Sequence, residues 1–135
     1  MVARELQVKD LRPGIRNVNI TLKVLEVREE KTVFSRTDNS EHRVADALVG
    51  DETGVVYMTL WDDDIDLVRG LEGSTITLRN GYVTLFRNSI RLSRGRYGKI
   101  EESEREIEKV NESNNVSERP GWGRRGRSYG RRRNF

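Results

Sequence analysis

The sequence of 135 residues contains no cysteine and only one histidine. The absence of cysteine excludes intramolecular disulfides, thiolate zinc sites, iron–sulfur clusters and a cysteine nucleophile. The single histidine, His42, cannot form a histidine-based metal site by itself, and it argues against a Ser-His-Asp catalytic triad. We therefore predict a protein that is not an enzyme and that uses neither a metal nor another cofactor.

Long apolar runs are also missing from the sequence. No segment approaches the length that spans a membrane, and Met1–Pro13 carries charged residues where a signal peptide needs an apolar segment. Hydrophobic residues make up 34% of the chain and charged residues 35%, so an apolar core must be small and concentrated in one part of the chain. We expect a soluble intracellular protein with no membrane partner, built as one domain with tails.

The net charge of +3 conceals a separation of charges along the chain. Residues 119–135 contain seven arginines and no acidic residue, whereas residues 1–118 contain 18 basic and 22 acidic residues, a balance of −4. Within that body, Gly73–Ile100 has five arginines and Lys99 but no acidic residue, and Glu101–Glu118 has seven acidic residues. Charge that is segregated in this way predicts different roles for the different stretches.

Apolar residues at alternate positions predict β-strands throughout residues 1–100. In the third strand Val56, Met58 and Leu60 share one face, and Trp61 lies on the opposite face. A short helical link follows this strand, and a tight turn at Asn88-Ser89 joins the last two strands. This arrangement predicts an all-β domain, a five-stranded Greek-key barrel of the OB-fold type. The predicted strands are Asn17–Val27, Arg43–Gly50, Val55–Trp61, a strand that begins at Thr75 and a strand that contains Ile90 and Leu92.

The fourth predicted strand requires a change of register. Strict alternation from Ile76 and Leu78 would place Asn80 in the core, where an unpaired amide is unfavourable. A one-residue bulge at Asn80-Gly81 directs Val83 and Leu85 inward instead, because glycine tolerates unusual backbone dihedrals. The outer face of this strand then carries Tyr82, Thr84 and Phe86.

Two segments beyond residue 100 have the composition of unfolded chain. Residues 101–118 form an acidic linker with too few apolar positions for a core, and residues 119–135 form an Arg/Gly-rich, RGG-like tail. We predict that both segments are largely disordered. The arginines and aromatic residues of the tail predict accessory contacts with nucleic acid through charge and cation–π attraction.

Three aromatic rings on the barrel exterior predict a nucleic-acid-binding surface. Exposed rings are typical of base stacking, which contributes about 1–3 kcal/mol per base in single-strand binding. Arginines flank these rings and supply positive charge for phosphate groups. The alternative is that the rings pack over a barrel end or under a loop. The residues predicted to bind nucleic acid are Trp61, Tyr82, Thr84 and Phe86, with Arg43, Arg87 and Arg96 near phosphates.

The other polar clusters have simpler interpretations. Aspartates stand at positions 62, 63, 64 and 66. Carboxylates that are crowded into one short segment typically cap and solvate a helical turn, because metal binding needs ligands that converge from different elements. His42 is interpreted as a solvated strand residue.

The motifs Val49–Gly54, Thr59–Asp62 and Asn80–Phe86 follow one another along the sequence. Together they resemble the archaeal, crenarchaeal-type single-stranded-DNA-binding proteins with a single OB fold, and the related B subunit of the eukaryotic sensor-of-single-stranded-DNA complex. The resemblance covers residues 6–100. It implies that the aromatic residue of the second motif and the two of the third stack on bases. The chain departs from the family at Ser93, where the eukaryotic relatives have a further aromatic residue, and at its basic end, where many members have an acidic tip.

These observations predict a monomer that binds single-stranded DNA with little regard to sequence. The resemblance implies that it protects single strands in replication, recombination and repair, with repair or replication proteins as further partners. Its expected location is the cytoplasm, associated with the nucleoid. Two alternatives remain open: an RNA-binding or RNA-chaperone protein, because stacking does not read the 2′-hydroxyl, and an assembly subunit whose aromatic face is a protein interface.

Overall fold

Eight strands form one sheet in the computed structural model of the chain, which describes residues 5–118. One α-helix, α1 (Asp63–Arg69), and one 3-10 turn, Val8–Asp10, accompany the sheet. No helix in this part of the chain is long and apolar enough to cross a membrane. The strands are β1 (Glu5–Leu6), β2 (Arg16–Val27), β3 (Lys31–Ser35), β4 (Ser40–Asp51), β5 (Gly54–Trp61), β6 (Thr75–Phe86), β7 (Ser89–Ser93) and β8 (Lys99–Glu102).

Five of these strands close into a barrel. They pair in the order β2, β4, β5, β7 and β6, and the pairing of β6 with β2 closes the ring. Strands β5 and β7 run parallel, whereas the other four pairings are antiparallel. This topology confirms the prediction of an all-β, five-stranded OB-fold barrel. Strands β1, β3 and β8 extend the sheet and were not predicted, because they are short or lack a clear apolar alternation.

The core of the barrel consists of the inward-facing residues that the alternation predicted. Val56, Met58 and Leu60 of β5 are at most 1% exposed. Ile65 and Val68 add the apolar side of α1 to the same core, and the 3-10 turn adds Val8 and Leu11. The buried residues of β2 are Val18, Ile20, Leu22, Val24 and the neighbouring Thr21 and Val27.

The predicted change of register in β6 is present. Ile20 pairs with Leu78 and Val18 pairs with Gly81, so three residues of β6 oppose two of β2. The positive φ of 55° falls on Asn80, however, and not on the glycine. Gly81 is needed for a different reason: a Cβ atom there would lie 2.6 Å from Cδ2 of Leu78.

The end of β6 departs from the prediction that Leu85 points into the core. Leu85 is 41% exposed. Strand β2 pairs with β6 only as far as Tyr82, and Leu85 pairs with β7 alone. The two-residue turn of this hairpin is Arg87-Asn88, one residue earlier than predicted, and both residues have positive φ, as a tight hairpin turn requires.

Residues 101–118 contradict the prediction of a disordered acidic linker. Strand β8 pairs residues 99–102 with β6, and Ile107 and Val116 are 4% and 2% exposed. Asn115 forms an isolated β-bridge with Val55. The apolar residues of this segment are few and follow no period, but they are buried against a barrel that the rest of the chain builds. The tail predicted over 119–135 lies outside the described residues.

Candidate nucleic-acid interface

The predicted rings lie on one outward face of the barrel, which we call the stacking face and define as the outward residues of β5, β7 and β6. Registered partners of neighbouring strands share a side of the sheet. Tyr82 pairs with Ser93, and Ser93 pairs with Thr59 on β5. Because Trp61 follows Thr59 by two residues, it lies on the same side as Tyr82. Strand β7 separates the two rings, which places their backbones about 10 Å apart across the sheet.

All three predicted rings are accessible on this face. Trp61 is 44% exposed, Tyr82 38% and Phe86 54%. The register forces Trp61 outward, because the alternate residues of β5 fill the core. The guanidinium groups of Arg87 and Arg91 lie 5.2 Å and 5.5 Å from the centroid of the Phe86 ring. Arg91 is also paired with Oδ2 of Asp46, so Arg87 supplies the uncompensated charge beside this ring. The geometry therefore offers ring surface on which a base can stack, beside positive charge for a phosphate.

Tyr57 is a fourth ring on the outward side of β5, but it is covered. The side chain is only 6% exposed, and the guanidinium groups of Arg28 and Arg91 lie 4.7 Å and 5.0 Å from its ring centroid. Its hydroxyl donates a hydrogen bond to Oε2 of Glu118 at 2.9 Å. Its backbone N–H donates to Oγ of Ser117 at 2.9 Å. The folded end of the described chain thus removes Tyr57 from the accessible part of the stacking face.

Arg43 is held by carboxylates. Its two terminal nitrogens donate hydrogen bonds to both carboxylate oxygens of Asp66, at 3.2 Å and 2.7 Å, and Nη1 also donates to Oε2 of Glu30 at 3.3 Å. Hydrogen bonding to Asp66, together with the charge of both acids, raises the pKa of Arg43. A phosphate would have to compete with these two carboxylates, so the charge at Arg43 is largely compensated before any ligand binds.

Arg87 and Arg96, by contrast, form no ion pair with any carboxylate within residues 5–118. Arg16 also forms no ion pair with a carboxylate in this part of the chain, and it is the registered partner of Tyr82 between β2 and β6. Arg16 was not among the predicted site residues, because no sequence pattern indicates that β2 begins beside the bulge of β6. Uncompensated guanidinium groups are the side chains that attract phosphates most strongly, so the positive end of the stacking face lies around Tyr82 and Phe86.

His42 lies between two carboxylates at the edge of Trp61. Nδ1 is 2.8 Å from Oδ2 of Asp62 and Nε2 is 2.6 Å from Oδ2 of Asp38, and the imidazole meets the indole edge-on at 6.5 Å between centroids. Both nitrogens can donate only when the ring is protonated. Hydrogen bonds to Asp62 and then Asp38 therefore raise the pKa of His42, and hydrogen bonds from Ser40 and His42 lower the pKa of Asp38 to about 2. The interpretation of His42 as a merely solvated residue is therefore wrong.

The aspartates around α1 are engaged with cations and backbone. Asp62 does not cap the helix with its side chain; its Oδ1 accepts the backbone N–H of Arg43 at 3.0 Å. Asp64 accepts a hydrogen bond from Nε of Arg94 at 2.6 Å, and Asp66 holds Arg43. In residues 5–118 no group of three or more acidic or histidine side chains has a metal-binding arrangement. The Trp61 end of the stacking face is therefore the more acidic end.

Two further exposed rings were not predicted. Phe34, on β3, is 60% exposed, and Tyr97, in the loop between β7 and β8, is 80% exposed. Neither could be found by alternation, since β3 is a short polar hairpin strand and Tyr97 lies in a loop between two glycines. The signal in the sequence that could have indicated these two rings is an aromatic residue within a stretch rich in charged residues.

A closed five-stranded barrel of this topology is an OB fold, and accessible rings with uncompensated arginines nearby are typical of OB folds that bind nucleic acid. Comparison with known families agrees. The family model described as "Single-stranded DNA binding protein Ssb-like, OB fold" matches residues 11–102, and the chain belongs to this family.

Individual proteins are also similar to the chain. It is 34% identical over 99 residues to the single-stranded DNA binding protein Ssb of Saccharolobus solfataricus; the match covers 73% of this chain and 64% of that protein. An Arabidopsis thaliana protein named only as uncharacterised is 31% identical over 120 residues, which cover 83% of this chain and 77% of the relative.

Solved structures share the fold. The solution structure of a hypothetical protein from Arabidopsis thaliana is 31% identical and superposes with a TM-score of 0.69 over 87% of this chain and 88% of that one. A replication factor A related protein from Methanobacterium thermoautotrophicum superposes with a TM-score of 0.61 over 75% of this chain and 92% of its own, at 18% identity. The similarity to the Methanobacterium protein shows only that the two chains share a fold.

Proposed function

We propose that this protein binds single-stranded DNA with little regard to sequence and without catalysing a reaction. The observation that carries the proposal is the presence of three accessible rings on one barrel face, beside arginines that no acidic residue in 5–118 neutralises. Membership of the Ssb-like family supports it, as does the name of the Saccharolobus relative. The match spans 64% of the length of that relative. That this chain has the activity of the whole relative is therefore part of the proposal.

The mechanism combines stacking with phosphate attraction. Trp61, Tyr82 and Phe86 stack on successive bases, and each base that is stacked contributes about 1–3 kcal/mol. Every base has a flat π-face, so this mode of binding tolerates any sequence. Arg87 and Arg96 contact phosphates, because their charge is free for a ligand, whereas Arg43 contributes less because Asp66 and Glu30 already hold it.

Thr84 has a secondary role in this mechanism. It is half-buried and pairs with Arg91, between the two ring-bearing positions of β6. Its hydroxyl can donate to or accept from a base edge or a sugar, which adds a contact without selecting one base. The Arg/Gly-rich tail adds accessory charge to the same complex.

The cellular role follows from the resemblance. We propose that the protein acts as a monomer that covers single strands during replication, recombination and repair, in the cytoplasm and associated with the nucleoid. The closer relation to the crenarchaeal-type proteins and to the B subunit of the eukaryotic sensor complex is part of the same proposal. An RNA-binding protein is the alternative, because stacking on the bases does not read the 2′-hydroxyl.

The test is a pair of matched variants of the full chain. Trp61→Ala removes a ring that is 44% exposed on the stacking face, and Leu67→Ala removes an apolar side chain that is also 44% exposed, on α1. With a fluorescently labelled oligo-dT, Trp61→Ala should weaken binding about 5- to 150-fold, the equivalent of one stacked base, and Leu67→Ala should leave it unchanged.

Two results would contradict the proposal. Equal affinity of the Trp61→Ala variant and the parent would show that the ring does not stack. Concentration-dependent self-association that the same substitution abolishes would favour the protein-interface alternative. A parallel titration with oligo-U measures the preference for DNA over RNA.

A further inference from the structure

A second groove adjoins Tyr82, outside the part of the stacking face that holds Trp61 and Phe86. Its volume is about 340 Å³, at the lower end of the range for ligand pockets. It is formed where the start of β2, the bulge of β6 and the loop between β7 and β8 meet. Its lining residues are Arg16, Asn17, Asn80, Gly81, Tyr82, Arg94, Gly95, Arg96 and Tyr97.

The loop that carries Tyr97 is held in place by hydrogen bonds. Arg94 donates from Nε to Oδ2 of Asp64 at 2.6 Å and from Nη1 to the carbonyl oxygen of Gly98 at 3.3 Å. The side-chain amide of Asn80, the bulge residue, donates to the carbonyl oxygen of Tyr97 at 3.5 Å. The backbone on both sides of the Tyr97 ring is therefore tied to the barrel and to α1, while the ring itself is 80% exposed.

The same loop supports the ring of Tyr82. Gly95 has a φ of +72°, and a Cβ atom there would lie 2.8 Å from Cε1 of Tyr82. The absence of a side chain at Gly95 lets the Tyr82 ring rest against the loop backbone. Tyr82 is thus shared between the stacking face and the groove, and the groove continues the surface on which a bound strand would lie.

The charge of the groove fits a phosphate. Its described lining contains no acidic residue, and Arg16 and Arg96 have no carboxylate partner within residues 5–118. Arg94 is held by Asp64 and serves to build the wall. A different groove, of about 500 Å³, has the opposite character: five acidic residues and one arginine line it, so it would repel a phosphate.

We propose that the groove beside Tyr82 is an additional nucleotide subsite, in which a base stacks on Tyr97 and its phosphate lies between Arg16 and Arg96. This inference rests on the proposed function and extends it. It implies that the bound strand continues past Tyr82 and that the footprint is one nucleotide longer than the three rings of the stacking face provide. The fixed loop lowers the entropy cost of the contact, because the backbone of Tyr97 is already ordered.

The test is a length series of oligo-dT on the full chain. Each titration uses the Trp122→Phe background, so that Trp61 is the remaining tryptophan reporter. Tyr97→Ala should bind the shortest oligonucleotides as tightly as the parent and should bind the longest ones about 5- to 150-fold more weakly. Tyr97→Phe should restore the parent affinity at every length, because stacking needs the ring and not the hydroxyl.

A salt series on the longest oligonucleotide tests the phosphate contact. Arg16→Gln, at a residue that has no role in the three-ring site, should lower the magnitude of the slope of log affinity against log salt by about 0.7, and Tyr97→Ala should leave the slope unchanged. Leu67→Ala on α1 is the control for loss of an exposed apolar side chain elsewhere, and should match the parent at every length.

The outcomes separate the two proposals. If no oligonucleotide of any length quenches Trp61 in the parent, the proposed function fails. If the parent binds but Tyr97→Ala matches it at every length, the function stands and the subsite is refuted. Equal weakening at all lengths, the shortest included, also refutes an additional subsite, because it would place Tyr97 in the minimal site.

Discussion

The substitution Ser117→Ala should destabilise the folded protein, although it lies in a segment whose composition suggested an unfolded linker. Ser117 is 3% exposed. Its Oγ accepts the backbone N–H of Tyr57 at 2.9 Å and donates to the carbonyl oxygen of Ile90. Alanine leaves both backbone groups in place, but removes the side-chain atom that joins the chain end to β5 and β7.

The magnitude follows from the burial of those two groups. A buried donor or acceptor that loses its partner costs about 1–3 kcal/mol. Two such groups lose their partner here, so we expect the free energy of unfolding to fall by about 2–6 kcal/mol. For an ordered region of this length, each kcal/mol corresponds to about 4 °C, and the melting temperature should fall by about 8–24 °C. Hydrogen exchange at the Tyr57 amide should also become faster.

The matched control is Ser113→Ala in the same segment. The Ser113 hydroxyl is exposed and, among residues 5–118, bonds only to Oδ1 of Asn111 at 2.6 Å within a turn, so its loss should change stability by less than about 0.5 kcal/mol. Urea unfolding followed by circular dichroism measures both variants. If the two serine variants are equally stable, residues 111–118 do not pack on the barrel, and the account of Tyr57 as a covered ring is wrong.

Leu60→Asp should abolish the cooperative unfolding transition in circular dichroism, because it buries an unpaired charge; a folded variant would reverse the faces of β5. Hydrogen bonds to Asp62 and Asp38 raise the pKa of His42 in the folded state. The stabilisation that protonated His42 gives to the fold should therefore be complete below about pH 6.5 and should be lost as the pH rises through the folded pKa. The His42→Gln substitution should remove this pH dependence from the urea midpoints measured across that range. Deleting residues 119–135 changes the net charge from +3 to −4. The deletion should lower the magnitude of the slope of log affinity against log salt by about 0.7 for each phosphate contact that is lost, and the quenching of Trp61 at saturation should be retained. Identical slopes for the two proteins would exclude the tail from binding.

The sequence alone determined the barrel and the direction of its main side chains. Alternation in β2 and β5 depends only on neighbouring residues, because successive side chains of a strand point to opposite faces. It therefore predicted that Leu60 is buried and Trp61 exposed, which the structure confirms. The bulge at Asn80-Gly81 was predictable for the same reason, since a polar residue interrupted an apolar pattern. The roles of the exposed residues in binding stay predictions.

Only the tertiary structure decided which outward groups remain available to a ligand. Tyr57 and Trp61 lie on the same face of β5, yet residues distant in the sequence cover Tyr57 and leave Trp61 exposed. Arg43 and Arg96 are both basic residues near the rings, yet α1 brings a carboxylate to Arg43 and none of the carboxylates in 5–118 reaches Arg96. Local patterns report the side of an element on which a residue lies. The groups that contact the residue on that side come from segments distant in the sequence, and these contacts exist only once the barrel has closed.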